Sequence, residues 1–255
     1  MTDLTVLAVG FGVIPLASIL LVSFRDWVGV HRTAVWGTAA GVIAFLGLSH
    51  AMASVLFGKP FLFGGENGAA TILFLLAGLG LGGSLGWFFF EGRVVGPEPA
   101  RIVWATAAFV ALHSFGDGLV LGRDFVGGAG PIVPINALTV SATVVHRLIE
   151  GALVLVPSMA ARWRARSSLL ILFVLLTSVP AAYLPTFLFD AMGLVAGSAA
   201  TQSVSIFLAA VEASLALAVL ARGFLPVVIA DRSPRWLSFV LIGFVAISVV
   251  HFLVE

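Results

Sequence analysis

Long apolar stretches separated by short polar segments recur along the whole chain. Eight of them have the length of about 20 residues that an α-helix needs to cross the hydrocarbon core of a bilayer. The predicted spans cover residues 4–24, 33–57, 69–90, 101–122, 134–158, 167–189, 198–220 and 234–254. The pattern predicts an all-α integral membrane protein, folded as one transmembrane domain of eight helices over residues 1–255.

Basic residues are distributed unevenly between alternate connections. The segments after the first, third, fifth and seventh spans hold ten Arg residues, whereas those after the second, fourth and sixth spans hold only Lys59 and Arg123. Cytoplasmic segments of membrane proteins carry the excess of Lys and Arg. We therefore expect the odd-numbered connections in the cytoplasm, both termini outside the cell, and the protein in the plasma membrane.

The composition agrees with a bilayer setting and excludes several chemistries. Apolar residues make up 60% of the chain and charged residues 10%, whereas soluble domains carry about 25% charged residues. The chain has no Cys, which excludes disulfides, thiolate metal sites and iron–sulfur clusters. The net charge of +1, with no basic run, gives no sign of nucleic acid as a partner.

Two related polar motifs interrupt the fourth and fifth spans. Residues 113–118 read HSFGDG and residues 146–151 read HRLIEG, so each has the form His-x-x-x-carboxylate-Gly. Residues four apart lie on one face of a helix, which pairs His113 with Asp117 and His146 with Glu150. Imidazole and carboxylate together suit a divalent transition metal such as zinc or iron. The repeat predicts a metal site between these two helices.

Charged groups at the centre of a bilayer cost at least about 2.5–3.5 kcal/mol each, so every polar residue within a span needs a reason. An ion-paired packing cluster, such as Arg147 with Glu150 or Asp117, is one alternative, but it gives no reason for the same motif on consecutive helices. Glu212 in the seventh span is either a transient ligand or a helix-pairing residue. His50 in the second span is expected mainly to pack, and His251 is expected at the interface.

The third span is rich in glycine, at positions 78, 80, 82, 83 and 86. Small residues let membrane helices approach closely. We predict that this span packs tightly against a neighbouring helix and has no role in the chemistry.

At its two motifs the sequence resembles the ZIP (Zrt-, Irt-like) family of divalent-metal transporters, whose members typically have eight spans with both termini outside. The family's fourth span carries strings like His-Asn-x-Pro-Glu-Gly, and its fifth carries a related His-x-x-x-Glu string. Residues 40–50 are similar to the family's second span. The resemblance implies a ZIP-like bundle with a primary metal site formed by His113, Asp117, His146 and Glu150. From their own positions within the spans, Ser114, Glu212 and His50 are secondary candidates.

This chain departs from the family pattern where the family binds a second metal ion. Ser114 stands in the place of the Asn, Arg147 in that of an Asp, and, if Pro180 is the sixth-span proline, Val179 in that of a carboxylate. A guanidinium is always protonated and cannot ligate a cation. We expect Arg147 to take the position of the second ion and to offset the carboxylates, which leaves one bound metal.

The function expected from the resemblance is transport of a divalent transition-metal cation into the cytoplasm. Zinc is the leading candidate, with iron, manganese, cobalt or cadmium as alternatives, and the ion is substrate, not a resident cofactor. The expected partners are the metal ion and the bilayer, with a homodimer as a candidate assembly.

The alternative is a membrane-embedded zinc hydrolase, in which His113, His146 and His50 would be ligands and Asp117 or Glu150 the general base. The sequence has no His-Glu-x-x-His string. The paired symmetry of the motifs favours an ion that passes between helices, so we predict that the protein is not an enzyme.

Overall fold

The computed structural model describes residues 23, 25–64, 68–91, 98–126, 137–162, 199–231 and 233–254. Within these ranges every regular element is helical, which confirms the all-α prediction for them. The elements are α1 (Arg25–Val30), α2 (Arg32–Gly64), α3 (Gly68–Glu91), α4 (Glu98–Val126), α5 (Ala137–Ala160), α6 (Ala199–Val219), a π-helical turn (Leu220–Phe224), α7 (Leu225–Ala230) and α8 (Trp236–Val254).

Four of the described helical segments are long and apolar enough to cross a membrane: Arg32–Val55, Gly68–Glu91, Ser203–Ala230 and Trp236–Leu253. They correspond to the predicted second, third, seventh and eighth spans, and they confirm the prediction of membrane-spanning helices. The seventh continues beyond its predicted end through the π-helical turn into α7. The predicted first span, apart from Ser23, and the whole predicted sixth span (167–189) lie outside the described residues.

The fourth and fifth predicted spans are the helices α4 and α5, which have 29 and 24 residues. At about 1.5 Å of rise per residue, both exceed the thickness of the hydrocarbon core. Both begin and end within a few residues of the predicted limits. They carry the two His-x-x-x-carboxylate-Gly motifs, and α5 packs against α4 and α8.

The outer faces of α3 and α8 are apolar. Leu73 and Trp87 on α3 are 67% and 66% exposed, and Phe252 on α8 is 85% exposed. Apolar surfaces of this extent are rare on soluble monomers, whereas lipid tails cover them without cost. The apolar faces therefore agree with a chain surrounded by lipid.

Glycines allow α3 to lie directly on α6. Gly78, Gly82 and Gly86 are buried at four-residue spacing, and a Cβ at Gly82 would overlap Ser214 and the carbonyl oxygen of Val211 on α6. A Cβ at Gly80 or Gly83 would meet no atom of the described residues within 4 Å. The prediction of tight packing for the third span is supported for the three glycines that face α6. On the other side of the bundle, Gly41 on α2 and Gly243 on α8 bring those two helices equally close.

Charged side chains meet at one end of the bundle, which we call the arginine end. Arg32 at the start of α2 lies 3.9 Å from the Asp231 carboxylate after α7, and Arg222 in the π-helical turn lies 3.0 Å from Glu91 at the end of α3. Arg101 near the start of α4 donates to the carbonyl oxygen of Phe90 at 2.6 Å. All three Arg residues belong to connections predicted to be cytoplasmic.

Candidate metal centre

The α4 and α5 motifs meet in the interior and bring three ligand atoms together, which we call the α4/α5 triad. His113 Nε2, His146 Nε2 and Glu150 Oε1 are separated pairwise by 3.3 Å. All three residues are buried. His146 and Glu150 are four residues apart on α5, as the motif predicts, whereas His113 reaches them from the neighbouring helix.

The size of this triangle fits a transition metal. In tetrahedral zinc sites the metal lies about 2.0–2.1 Å from nitrogen and oxygen ligands, which places neighbouring ligand atoms about 3.3 Å apart. The triad thus supplies three corners of a tetrahedron without rearrangement. The fourth corner is available to another ligand or to water. The side chain of Asp117, predicted as the fourth ligand, lies outside the described residues.

Arg147 accounts for the second oxygen of the Glu150 carboxylate. Its Nη1 donates to Glu150 Oε2 at 2.7 Å, and both residues are buried. An isolated buried charge is costly, so this ion pair lets Glu150 remain charged inside the bundle. It also directs the other oxygen, Oε1, toward the two imidazoles. This arrangement combines the packing pair considered from the sequence with a carboxylate that remains available as a ligand.

A second group of three ligand atoms lies on the opposite side of the same His113 ring, and we call it the α2/α6 triad. His50 Nε2 and Glu212 Oε2 are 2.6 Å apart. His113 Nδ1 lies 3.2 Å from the first and 3.4 Å from the second. The three atoms are close enough to hold one ion, although the short contact between His50 and Glu212 must lengthen by about 0.7 Å to match a tetrahedral edge.

His50 is held in place by its own helix. Its Nδ1 lies 2.6 Å from the carbonyl oxygen of Leu46, one turn earlier on α2. Because a carbonyl only accepts, Nδ1 carries a proton. Nε2 lies 2.6 Å from the Glu212 carboxylate, so a proton is also shared between these two atoms, and an ion that binds Nε2 must displace it. A hydrogen bond of this kind fixes the tautomer of a metal-binding histidine. The sequence pattern predicts mainly packing for His50, since a lone His in an apolar span carries no spacing signal.

An apolar layer separates both triads from the arginine end. It contains Leu46 on α2, Phe109 on α4 and Leu215 on α6, each less than 2% exposed and each three or four residues from a triad residue on the same helix. Phe109 stacks beneath the His113 ring with their centroids 6.0 Å apart. The layer belongs to one continuous cluster of buried apolar side chains, which lies between the triads and that end among the described helices.

Two further residues lie near the triads. Ser114 is fully buried, and its Oγ has no hydrogen-bond partner among the described residues, so its role as a secondary ligand stays a prediction. His251 on α8 is 9% exposed and stacks on the His146 ring at 5.8 Å. The end of α8 packs against α5 and covers this side chain, so His251 contacts the metal centre in addition to the interfacial position expected from the sequence. The sequence does not predict the contact with His146, because a single His near the end of a span forms no recognisable pattern.

Comparisons with known proteins give no match for this chain, either among models of protein families or among curated proteins.

Proposed function

We propose that this protein transports a divalent transition-metal cation across the plasma membrane into the cytoplasm, with zinc as the leading candidate. The observation that carries the proposal is the α4/α5 triad, three buried ligand atoms at mutual distances of 3.3 Å on helices with repeated motifs. Ligand sites of polar residues within membrane helices characteristically mark ion pathways. The same motifs carry the resemblance to the ZIP family, and we propose membership in it.

The proposed architecture has eight spans with both termini outside. The described helices and the charged contacts of the arginine end support it, since that end gathers Arg residues from three predicted cytoplasmic connections. With this orientation the apolar layer lies between the metal ligands and the cytoplasm. Transport then requires the layer to open after the ion has bound, as in alternating access between two bundle conformations.

The chemistry of the ligands suits a carrier. Three neutral or singly charged ligands, with one carboxylate oxygen already paired to Arg147, give a site of moderate strength. A carrier site must release its ion as well as bind it. The described residues provide one carboxylate oxygen and two imidazoles for the ion, and Arg147 keeps the local positive charge high enough to limit affinity.

Hydrolysis is the less supported alternative. A zinc hydrolase with three His ligands would need His50, His113 and His146 on one ion. His50 instead meets Nδ1 of His113, whereas His146 meets Nε2 of the same ring. One ion cannot bind both nitrogens of a single ring, so this geometry argues against a zinc site with these three His ligands.

Uptake of zinc, manganese, cobalt and cadmium into proteoliposomes tests the proposal. We compare the wild type with His146→Asn, which removes one ligand and keeps the Glu150–Arg147 ion pair. The matched control is Ser141→Ala on the same helix, where an exposed hydroxyl bonds only to the backbone carbonyl of Ala137. Saturable uptake by the wild type and the control, reduced at least tenfold in His146→Asn, is expected. Metal binding without uptake by the wild type would rule out transport, and hydrolase substrates would then be assayed.

A further inference from the structure

His113 belongs to both triads through different nitrogens of one ring. Its Nε2 is 3.3 Å from His146 Nε2 and from Glu150 Oε1, whereas its Nδ1 faces His50 Nε2 and Glu212 Oε2 at 3.2 and 3.4 Å. Four helices thus converge on a single imidazole that is 1% exposed.

We propose that His50, His113 and Glu212 form a second divalent-cation site, and that the two sites are filled one at a time because they share His113. This inference goes beyond the proposed function, since it concerns where the ion binds at equilibrium. The second site is built from α2, α4 and α6, and it needs no residue of α5. Its ligand set, two imidazole nitrogens and one carboxylate oxygen, is the same as that of the α4/α5 triad.

Exclusive filling follows if the His113 ring keeps one proton, because only a ring that has lost both protons can bind an ion at each nitrogen. A neutral imidazole has one nitrogen that accepts and one that carries a proton. If Nε2 binds a metal in the α4/α5 triad, the proton on Nδ1 faces the Glu212 carboxylate. If Nδ1 binds a metal in the α2/α6 triad, the proton on Nε2 faces the Glu150 carboxylate. Each triad therefore supplies the acceptor that orients His113 while the other holds the ion.

Charge supports the same conclusion. Among the residues of the two triads and Arg147, the described charges are two carboxylates and one guanidinium, a net of −1 when the imidazoles are neutral. One divalent ion brings this to +1, and two would bring it to +3 in an interior of low dielectric constant, where charges repel strongly. The charges of these described groups therefore favour one bound ion over two; the carboxylate of Asp117, whose side chain lies outside the described residues, is not counted in this sum.

A glycine next to the second site allows its carboxylate to be shifted without removing a ligand. Gly116 on α4 lies against Glu212, and a Cβ at that position would approach Glu212 Oε1 to 3.0 Å. Gly116→Ala therefore presses on the Glu212 carboxylate, and the atoms that the new methyl group would meet among the described residues belong to Glu212 and to no residue of the α4/α5 triad. Gly80→Ala is its control, since a methyl group at Gly80 would have no neighbour within 4 Å among the described residues.

Cadmium binding to the purified full chain in detergent, measured by equilibrium dialysis, tests this inference. We expect one ion per chain for the wild type, for His146→Asn and for Glu212→Gln. If the two sites have equal affinity, each single substitution weakens the apparent affinity about twofold. Adding Glu212→Gln to His146→Asn is expected to weaken the remaining binding by at least tenfold. Circular dichroism and a monodisperse elution profile check that each variant is folded.

Two results would overturn the inference: saturation of the wild type at two ions would refute exclusive filling, and binding by His146→Asn that is insensitive to Glu212→Gln would refute the second site. If the double variant fails to fold, His146→Asn with Gly116→Ala decides instead, with a several-fold loss expected relative to His146→Asn with Gly80→Ala, and an unchanged affinity overturning the inference. Because binding in detergent needs no flux, a failure here leaves the uptake result standing, and a failure of uptake leaves the site standing.

Discussion

Two faces of α6 serve different purposes. One face packs against the glycines of α3, where Gly82 lies on the backbone of Val211. The other presents Glu212 to His50 and His113, with Leu215 one turn further along. The first is held by close contact alone, whereas the second keeps polar atoms ready for an ion inside an apolar bundle. Substitutions at the first face should therefore change stability alone, whereas substitutions of Glu212 and its partners at the second should change metal binding.

The largest effect is expected at the residue that both triads share. His113→Asn removes a ligand from each, so we predict that cadmium affinity falls by more than about 100-fold, with no site left to compensate. Equilibrium dialysis measures it. A loss no greater than that of His146→Asn would show that His113 does not join the two triads.

Glu150→Gln tests whether a metal ligand also contributes to stability. If it does, metal binding and stability are not carried by separate sets of residues. The substitution leaves Arg147 buried with a neutral partner, and breaking a buried ion pair in this way costs about 3–5 kcal/mol. Adding Arg147→Gln removes the guanidinium charge and should recover most of that loss. Unfolding of the three proteins in detergent measures the difference, and equal stabilities of the single and double variants would contradict the role given to Arg147.

Leu215→Ala probes the apolar layer beneath the triads. Leu215 is fully buried, so its truncation leaves a cavity that should cost about 2–5 kcal/mol in unfolding free energy. Leu217→Ala is the control, because Leu217 on the same helix is 49% exposed and contacts lipid in the proposed setting. If both substitutions had the same small effect, the layer would not be a packed barrier.

The smallest effect is expected at the α3–α6 interface. Gly82→Ala forces the helices apart, and overpacking of this kind costs about 1–3 kcal/mol, with cadmium affinity unchanged. Gly83→Ala, which meets nothing, should be neutral or slightly stabilising because Ala favours the helix. Thermal unfolding separates the two, and equal melting temperatures would mean that α3 does not lie closely on α6.

The two faces also differ in how far the sequence predicted them. The glycines of α3 repeat every four residues, and His146 and Glu150 are four apart, so local helical periodicity predicts both features. His50 and Glu212 have no partner at helical spacing, and only the packing of α2, α4 and α6 brings them to His113. Sequence spacing reports what one helix places on one face, whereas ligands contributed singly by several helices emerge only from tertiary contacts.

Asp117 and Arg147 also show how much of a residue's role the sequence can predict. The motif predicts Asp117 as a ligand, and its side chain lies outside the described residues, so that role stays a prediction. Arg147 is a cation unable to bind metal, and its residue type alone predicts that it offsets a carboxylate. That Arg147 donates to the Oε2 oxygen of Glu150 depends on the orientation of the α5 side chains, which the sequence does not predict.

X-ray absorption at the zinc edge of the purified, zinc-loaded protein tests most directly whether the buried His and Glu residues bind a transition metal. We predict nitrogen and oxygen ligands at about 2.0–2.1 Å, scattering from two imidazole rings, and loss of this signal in His113→Asn. A shell of oxygen ligands alone, unchanged in His113→Asn, would contradict a metal centre built on these residues.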